Sequence, residues 1–302
     1  MNGIHWCWII YKFLYQFLFV NLFLFLIICR VLARITISSF FLIWVFIETT
    51  VFFTIPIMAN SSRSRYNTES LIIYFIYQAV ASILIIAGII ENLGDYNSLL
   101  MMMGILVKLG VFPFHVWVLP VLRGCSLQIF FLLLIPIKLP IYLLSENFIR
   151  VLIVPVIISI IIGVMLAINQ SSLLKVIAAR RISSTGVLLF CLNVDVFNYY
   201  FIGYSISILM LLYSLSSNNR ILLFFGILSL LGLPLLPLFI PKLMLLVNSS
   251  TVLPFLSLFV LIRFIVSSLY YVKFLPRRII KFDSKRFVLV SGIILFSFFS
   301  LF

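Results

Sequence analysis

Residues 104–120 read GILVKLGVFPFHVWVLP. Lys108 stands in that apolar run with no other charged side chain for a dozen residues on either side. Gly110 and Pro113 follow within five residues. A glycine's permissive backbone and a proline's missing N–H together predict a helix that breaks here. A lysine beside a broken helix in hydrocarbon costs roughly 2.5–3.5 kcal/mol on insertion scales. A group kept at that cost is read as functional.

The remainder of the chain supplies the hydrocarbon. Of 302 residues, 65% are hydrophobic and 9% charged, with a mean hydropathy of +1.32. A soluble domain carries about 25% charged residues, so the composition excludes a soluble protein and predicts an all-α polytopic membrane protein. The net charge of +14 is then a matter of basic loops on one side of a bilayer, not of a nucleic-acid partner. Cys7, Cys29, Cys125 and Cys191 form no C-x-x-C pair and have no histidine beside them, which supports neither a metal site nor a disulfide framework.

A membrane-crossing helix needs about 20 apolar residues. Runs of that kind fall at 13–29, 35–58, 71–90, 98–118, 127–144, 151–168, 173–192, 197–215, 221–247, 252–274 and 287–302, predicting about eleven spans in one membrane domain, 1–302. The first run is too long, and lacks the small-residue cleavage site, for a removable targeting segment. Basic residues in alternate loops give the orientation. About fourteen collect on one side, including Lys12, Arg63, Arg65, Arg123, a Lys175/Arg180/Arg181 group and six between Lys273 and Arg286. Arg30, Arg34 and Arg150 are on the other. The N-terminus is expected on the basic side and the C-terminus opposite.

The ninth run, ILLFFGILSLLGLPLLPLFIPKLMLLV at 221–247, carries Gly232, Pro234, Pro237, Pro241 and Lys242. It is also interrupted and also holds one lysine. Two such runs five spans apart point in opposite directions. The chain thus reads as two inverted five-helix repeats, 13–144 and 151–274, each broken at its fourth helix, plus a C-terminal helix at 287–302. Transporters built this way bind near the midplane, at the breaks. The plainer reading of the glycines and prolines is a pair of kinks.

Outside the residues counted with the loops, five charges are candidates for positions inside spans: Glu48, Lys108, Lys138, Lys242 and Arg263. Alone in lipid they would cost more than about 12 kcal/mol together, which rivals the stability of a whole domain. They must therefore face one another, water or the bundle interior. Burial disfavours the charged form of an amine and a nearby carboxylate favours it. A lysine that meets and leaves Glu48 can thus take up and release a proton. Glu48, Lys108, Lys138 and Lys242 are read as a proton relay, with Lys175 and His115 as further candidates. His115 reads equally as a packed histidine, and Arg263 as a side chain snorkelling to the basic surface.

The motifs VKLGVFPFHVWV at 107–118, NQSSLLK at 169–175, SLLGLPLLPLFIPK at 229–242 and YFIYQAVAS at 74–82 resemble those of the antiporter-like subunits of respiratory complex I, specifically the subunit 2 family of mitochondrial NADH–ubiquinone oxidoreductase. The resemblance extends over most of the chain, in the shortened form of animal mitochondria. It implies that Glu48 and Lys108 are the family's ion pair, Lys138 its central lysine and Lys242 the lysine of its second broken helix, at the terminal exchange site. Lys175 matches a family lysine of less defined role. The last six positions of the family's A-Y-S-S-I-x-H are here Ala179-Arg180-Arg181-Ile182-Ser183-Ser184, so its histidine is missing.

The resemblance further implies a proton-translocating subunit in the mitochondrial inner membrane, with the N-terminus in the matrix and the C-terminus in the intermembrane space. Its partners would be other membrane-arm subunits, including further antiporter-like ones, and lipids such as cardiolipin. No fingerprint for a cofactor is present in the chain. NADH, FMN, iron–sulfur clusters and ubiquinone are expected in partner subunits. Two other readings stand beside this one: a subunit of a monovalent cation/proton antiporter, and a non-conducting structural spacer.

Overall fold

The structure, a computed structural model, describes residues 40–60, 65–90, 95–217, 219–233, 236–252 and 254–272. The expected spans at 13–29 and 287–302, the loop cations at 12, 30, 34, 63 and 273–286, and Pro234 lie outside the described residues. Every regular element among the described residues is helical. Hydrocarbon offers no partner for a backbone N–H or C=O, so each segment must pair its own. The chain divides into two compact units, 1–148 and 149–302.

In the first unit, α1 (Phe40–Asn60) and α2 (Arg65–Ile90) contain apolar stretches of 20 and 25 residues, long enough to cross a bilayer. They turn large apolar side chains outward, Phe52 with 73% exposure and Ile83 with 64%. A surface of that kind is solvated by lipid. The expected 98–118 span is not one helix. It runs as α3 (Asp95–Leu109), stops, and resumes as the short α4 (Val118–Gly124).

The expected 127–144 span is interrupted as well, which the sequence reading did not foresee. α5 (Leu127–Leu134) ends one residue short of Ile135, whose φ and ψ are −122° and −73°. Pro136 follows, and a residue before proline is disfavoured from the α region. A 3-10 turn, Pro136–Lys138, then leads into α6 (Leu139–Ser145). Pro140 sits in the first turn of α6, where a missing N–H breaks no bond.

The second unit holds α7 (Ile149–Ile168), α8 (Leu173–Asn193), α9 (Phe197–Ser216), α10 (Arg220–Leu231), α11 (Phe239–Val252) and α12 (Pro254–Val272). α7 and α9 have the length and hydropathy to cross a membrane. The expected 221–247 span divides into α10 and α11. α8 is buried without interruption from Val176 to Leu192, as an apolar helix in the middle of a bundle is. Small residues let α7 close on it: a Cβ at Gly163 would lie 2.4 Å from the Ser183 nitrogen, and one at Gly186 2.5 Å from Ser159 Oγ.

That burial corrects the charge count. Arg180 and Arg181, counted with a basic loop, are each 2% exposed in the interior of this unit. Arg263, read as reaching the surface, is also 2% exposed.

Candidate functional site

The first break begins where α3 runs out of partners. The last four carbonyls of any helix lack intrahelical donors. Gly110 adopts φ +66°, a left-handed turn that lets its N–H return to Leu106 O at 3.0 Å and Val107 O at 3.1 Å. The Trp117 indole N–H also reaches Val107 O, at 3.0 Å. Lys138 Nζ donates to Leu109 O at 2.8 Å. A cation on that carbonyl sits at the negative end of the helix dipole.

Lys108 points elsewhere from the same turn. Its Nζ lies 2.5 Å from Glu48 Oε1 on α1. The Lys108 side chain is fully buried, and that of Glu48 is 30% exposed. Three of the sequence-read residues thus meet around one peptide: Glu48 holds Lys108, and Lys138 holds the carbonyl of the residue that follows it.

The second break repeats the turn with different side chains. α10 ends at Leu231, and Gly232 takes φ +74°, its N–H returning to Leu228 O at 3.1 Å and Ser229 O at 3.3 Å. Lys242, 2% exposed in the first turn of α11, reaches back to the freed end. Its Nζ donates to Leu231 O at 2.5 Å and lies 3.3 Å from Leu230 O. The amine also stands 4.8 Å from the Phe264 ring centroid. α9 packs on the break through Gly203, where a Cβ would meet Pro237 O at 2.7 Å and Pro241 Cγ at 2.9 Å. Pro241 lies in the first turn of α11, and Pro113 in the irregular segment between α3 and α4.

The other candidates stand apart from these contacts. His115 stacks on Phe112 at 6.2 Å between centroids, and its buried Nδ1 finds no hydrogen-bond partner among the described residues. Lys175 is half-buried in the first turn of α8. Arg263 Nη1 lies 3.5 Å from the Tyr200 hydroxyl. Among the described residues no group of three His, Cys, Asp or Glu side chains is placed to hold a metal.

The sequence reading missed several participants. Trp117 lies in the quoted stretch, but nothing in its neighbours tells that its N–H caps Val107 O. Arg180 was counted with the basic side although it falls within the 173–192 run, and its Nη2 donates to Leu230 O at 3.0 Å and its Nη1 to the Tyr271 hydroxyl at 2.8 Å. Ser184, at the position of the family's missing histidine, pairs with the Tyr204 hydroxyl at 2.9 Å. The available signal for Arg180 and Arg181 was their place inside the 173–192 run, with the apolar 187–192 behind them.

Residues 91–224 match the family described as NADH:quinone oxidoreductase/Mrp antiporter, TM. NADH-ubiquinone oxidoreductase chain 2 of Anopheles gambiae is 31% identical over 242 residues, 70% of this chain and 71% of that one. The protein of the same name from Hylobates lar is 33% identical over 166 residues, so the chain spans about half of its length (48%). The fold resembles a chain of respiratory complex I from Thermus thermophilus, with TM-score 0.72, 20% identity, and coverage of 84% of this chain and 69% of that one. It also resembles a chain of the Mrp complex from Dietzia sp. DQ12-45-1b, with TM-score 0.69, 15% identity, and coverage of 78% and 56%.

Proposed function

We propose that this chain, which belongs to the NADH-ubiquinone oxidoreductase chain 2 family, moves protons across the mitochondrial inner membrane as an antiporter-like subunit of NADH:ubiquinone oxidoreductase. The observation that carries the reading is the Lys108–Glu48 ion pair at a helix end whose last carbonyl is held by Lys138.

The chemistry follows from burial. With Glu48 alongside, a proton on the fully buried Lys108 amine has its counter-charge. When Glu48 turns away, the positive charge loses that support in a low-dielectric interior, and the proton leaves. Lys138 is the adjacent acceptor in the first unit, because its amine sits on the peptide next to Lys108. In the second unit Lys242 serves as the exchange site that the family resemblance implies, with Lys175 as an auxiliary group there and His115 as one in the first unit. Energy reaches Glu48 from redox chemistry in partner subunits, which hold the NADH, FMN, iron–sulfur and ubiquinone sites. The 30% exposure of the Glu48 side chain leaves it open to a neighbouring subunit.

The two breaks support an inverted pair of five-helix repeats, 13–144 and 151–274, followed by a helix at 287–302. The excess of basic residues in alternate loops supports an N-terminus in the matrix and a C-terminus in the intermembrane space. The remaining membrane-arm subunits, with anionic lipids such as cardiolipin, complete the surroundings. The Mrp likeness favours a second reading, a subunit of a cation/proton antiporter.

The test is Lys108→Ala in the assembled complex reconstituted into vesicles. Proton uptake per NADH oxidised is expected to fall several-fold while assembly persists. Unchanged stoichiometry would remove the Glu48–Lys108 reading. Uptake that instead tracks added sodium or potassium would move the assignment to the antiporter.

A further inference from the structure

Trp44 lies on α1 one turn before Glu48, and its side chain is half-buried. Its indole packs on Phe41 at 5.8 Å between ring centroids, tilted by 31°. A tryptophan at a membrane surface turns its ring N–H toward water or headgroups. Here the N–H is turned inward: Nε1 is buried and meets no hydrogen-bond partner among the described residues. A buried donor in that state has given up its hydration for nothing. It calls for an acceptor that arrives in another conformation.

An acceptor stands one turn away. Residues four apart on a helix share a face, with their Cβ atoms roughly 5–6 Å apart. Helical side chains lean toward the N-terminus, which carries the Glu48 carboxylate in the direction of Trp44. The Glu48 side chain is 30% exposed and is held through Oε1 by Lys108, so it has room to swing. The neighbouring donors are committed. Thr49 Oγ1 donates to Phe46 O at 2.9 Å and Thr50 Oγ1 to Ile47 O at 2.7 Å. Lys138 Nζ donates to Leu109 O. Among the described residues of this turn, the indole N–H is the donor that remains.

We propose that Trp44 is a positioning residue for Glu48: its indole N–H donates to the carboxylate when the carboxylate leaves Lys108, so that the separated state of the ion pair has a hydrogen bond of its own. The inference rests on the reading of the Glu48–Lys108 pair as the switch. A contact shifts an equilibrium only by what it gives one state over the other. In the paired state the N–H gives nothing, and in the separated state it makes a charge-assisted hydrogen bond. The separated state is then favoured about tenfold. An indole is a donor only, so Trp44 holds the carboxylate without taking over the proton that Lys108 gives up.

The experiment uses the assembled complex and has two arms. In vesicles, Trp44→Phe and Trp44→Leu, which lack the donor, are expected to lower proton uptake about tenfold, while Trp44→Tyr, which returns a ring-borne O–H, loses less. Glu48→Gln is the control for the pair itself. Parent uptake in Trp44→Phe and Trp44→Leu, alongside lost uptake in Glu48→Gln, would overturn the role of Trp44 and leave the ion pair in place. Normal uptake in Glu48→Gln would overturn both. The second arm leaves Trp44 untouched and so does not depend on its variants assembling. Electron cryomicroscopy of the Lys108→Met complex, where Glu48 has no lysine to hold, is expected to show the carboxylate within hydrogen-bond distance of Trp44 Nε1. A merely structural tryptophan would not draw it there, and a carboxylate found elsewhere would overturn the proposal.

Discussion

The two helix breaks use one backbone device and two kinds of electrostatics. Each ends in a Leu-Gly pair, Leu109–Gly110 and Leu231–Gly232, with the glycine at positive φ, and each final leucine carbonyl accepts a lysine amine. The lysines that correspond by this contact are Lys138 and Lys242. In sequence the natural pairing was Lys108 with Lys242, one lysine per broken helix. Lys108 lies two residues before its glycine, where the second break has Leu230. Among the described residues, the first break therefore has a lysine and a carboxylate that the second lacks, and the second has an arginine that the first lacks. A shared turn at the break does not fix which charged side chains surround its lysine.

The largest expected effect comes from unbalancing the first break. Glu48→Gln strands the Lys108 amine in a fully buried site. Leaving one partner of a buried pair alone costs about 3–5 kcal/mol, and the partial exposure of Glu48 places this case near 3. Replacing both charges, Glu48→Gln with Lys108→Met, is expected to recover most of the loss, because two well-packed neutral groups need no counter-charge. Thermal inactivation midpoints of the assembled complex measure both, and uptake per NADH should stay low in the double variant. A double variant as labile as the sum of the singles would show that the two side chains do not act as a pair.

A smaller effect separates the breaks through their glycines. A left-handed conformation costs a non-glycine residue about 1–2 kcal/mol, so Gly110→Ala and Gly232→Ala should each lower stability by that order. Their neighbours differ. A Cβ at Gly232 would lie 2.8 Å from Lys242 Nζ and 2.9 Å from its Cδ, whereas one at Gly110 would lie 2.4 Å from Val118 Cγ2 and 3.2 Å from the Trp117 ring. The first pushes a flexible amine off its carbonyl, and the second strains packed apolar groups. Proton uptake should therefore fall more in Gly232→Ala, and assembled yield more in Gly110→Ala. The reverse order would mean that Lys242 does not act from its contact with Leu231.

Much of this was legible from residue types. Gly110, Pro113, Gly232 and Pro241 announce helix ends, because glycine and proline act on the backbone locally. Glu48, Lys108, Lys138 and Lys242 announce themselves because charge in an apolar run is costly wherever it points. The interruption of the fifth span at Lys138 was not read, although Pro136 and Pro140 flank it. The partners of Lys138 and Lys242 were not legible at all, since they are backbone carbonyls, which every residue carries. Arg180, Arg181 and Arg263 failed for a related reason. Hydropathy places an arginine near a span but not on its inner or outer face, and here α7 closes on α8 through glycine and serine to leave Arg180 and Arg181 inside.

The smallest expected effect tests whether the extra cap of the first break matters to transport. Trp117 is 1% exposed and packs against Tyr74 and Tyr77, each 6.1 Å away between ring centroids. Its indole N–H satisfies Val107 O, three residues before Gly110. The corresponding residue before Gly232 is Ser229, whose carbonyl accepts the glycine N–H with no indole donating to it among the described residues. Trp117→Phe keeps an aromatic ring and removes the donor, while Gly110 N still reaches Val107 O at 3.1 Å. The carbonyl is therefore not orphaned, and the cost should be about 1 kcal/mol, a shift of a few degrees in the inactivation midpoint. Uptake per NADH should be unchanged, because the variant only makes the first break resemble the second in its capping while Glu48, Lys108 and Lys138 remain. A collapse of uptake at normal assembly would place the indole among the groups that hold Lys108 on Glu48, and would make the first break depend on its aromatic packing as much as on its charges.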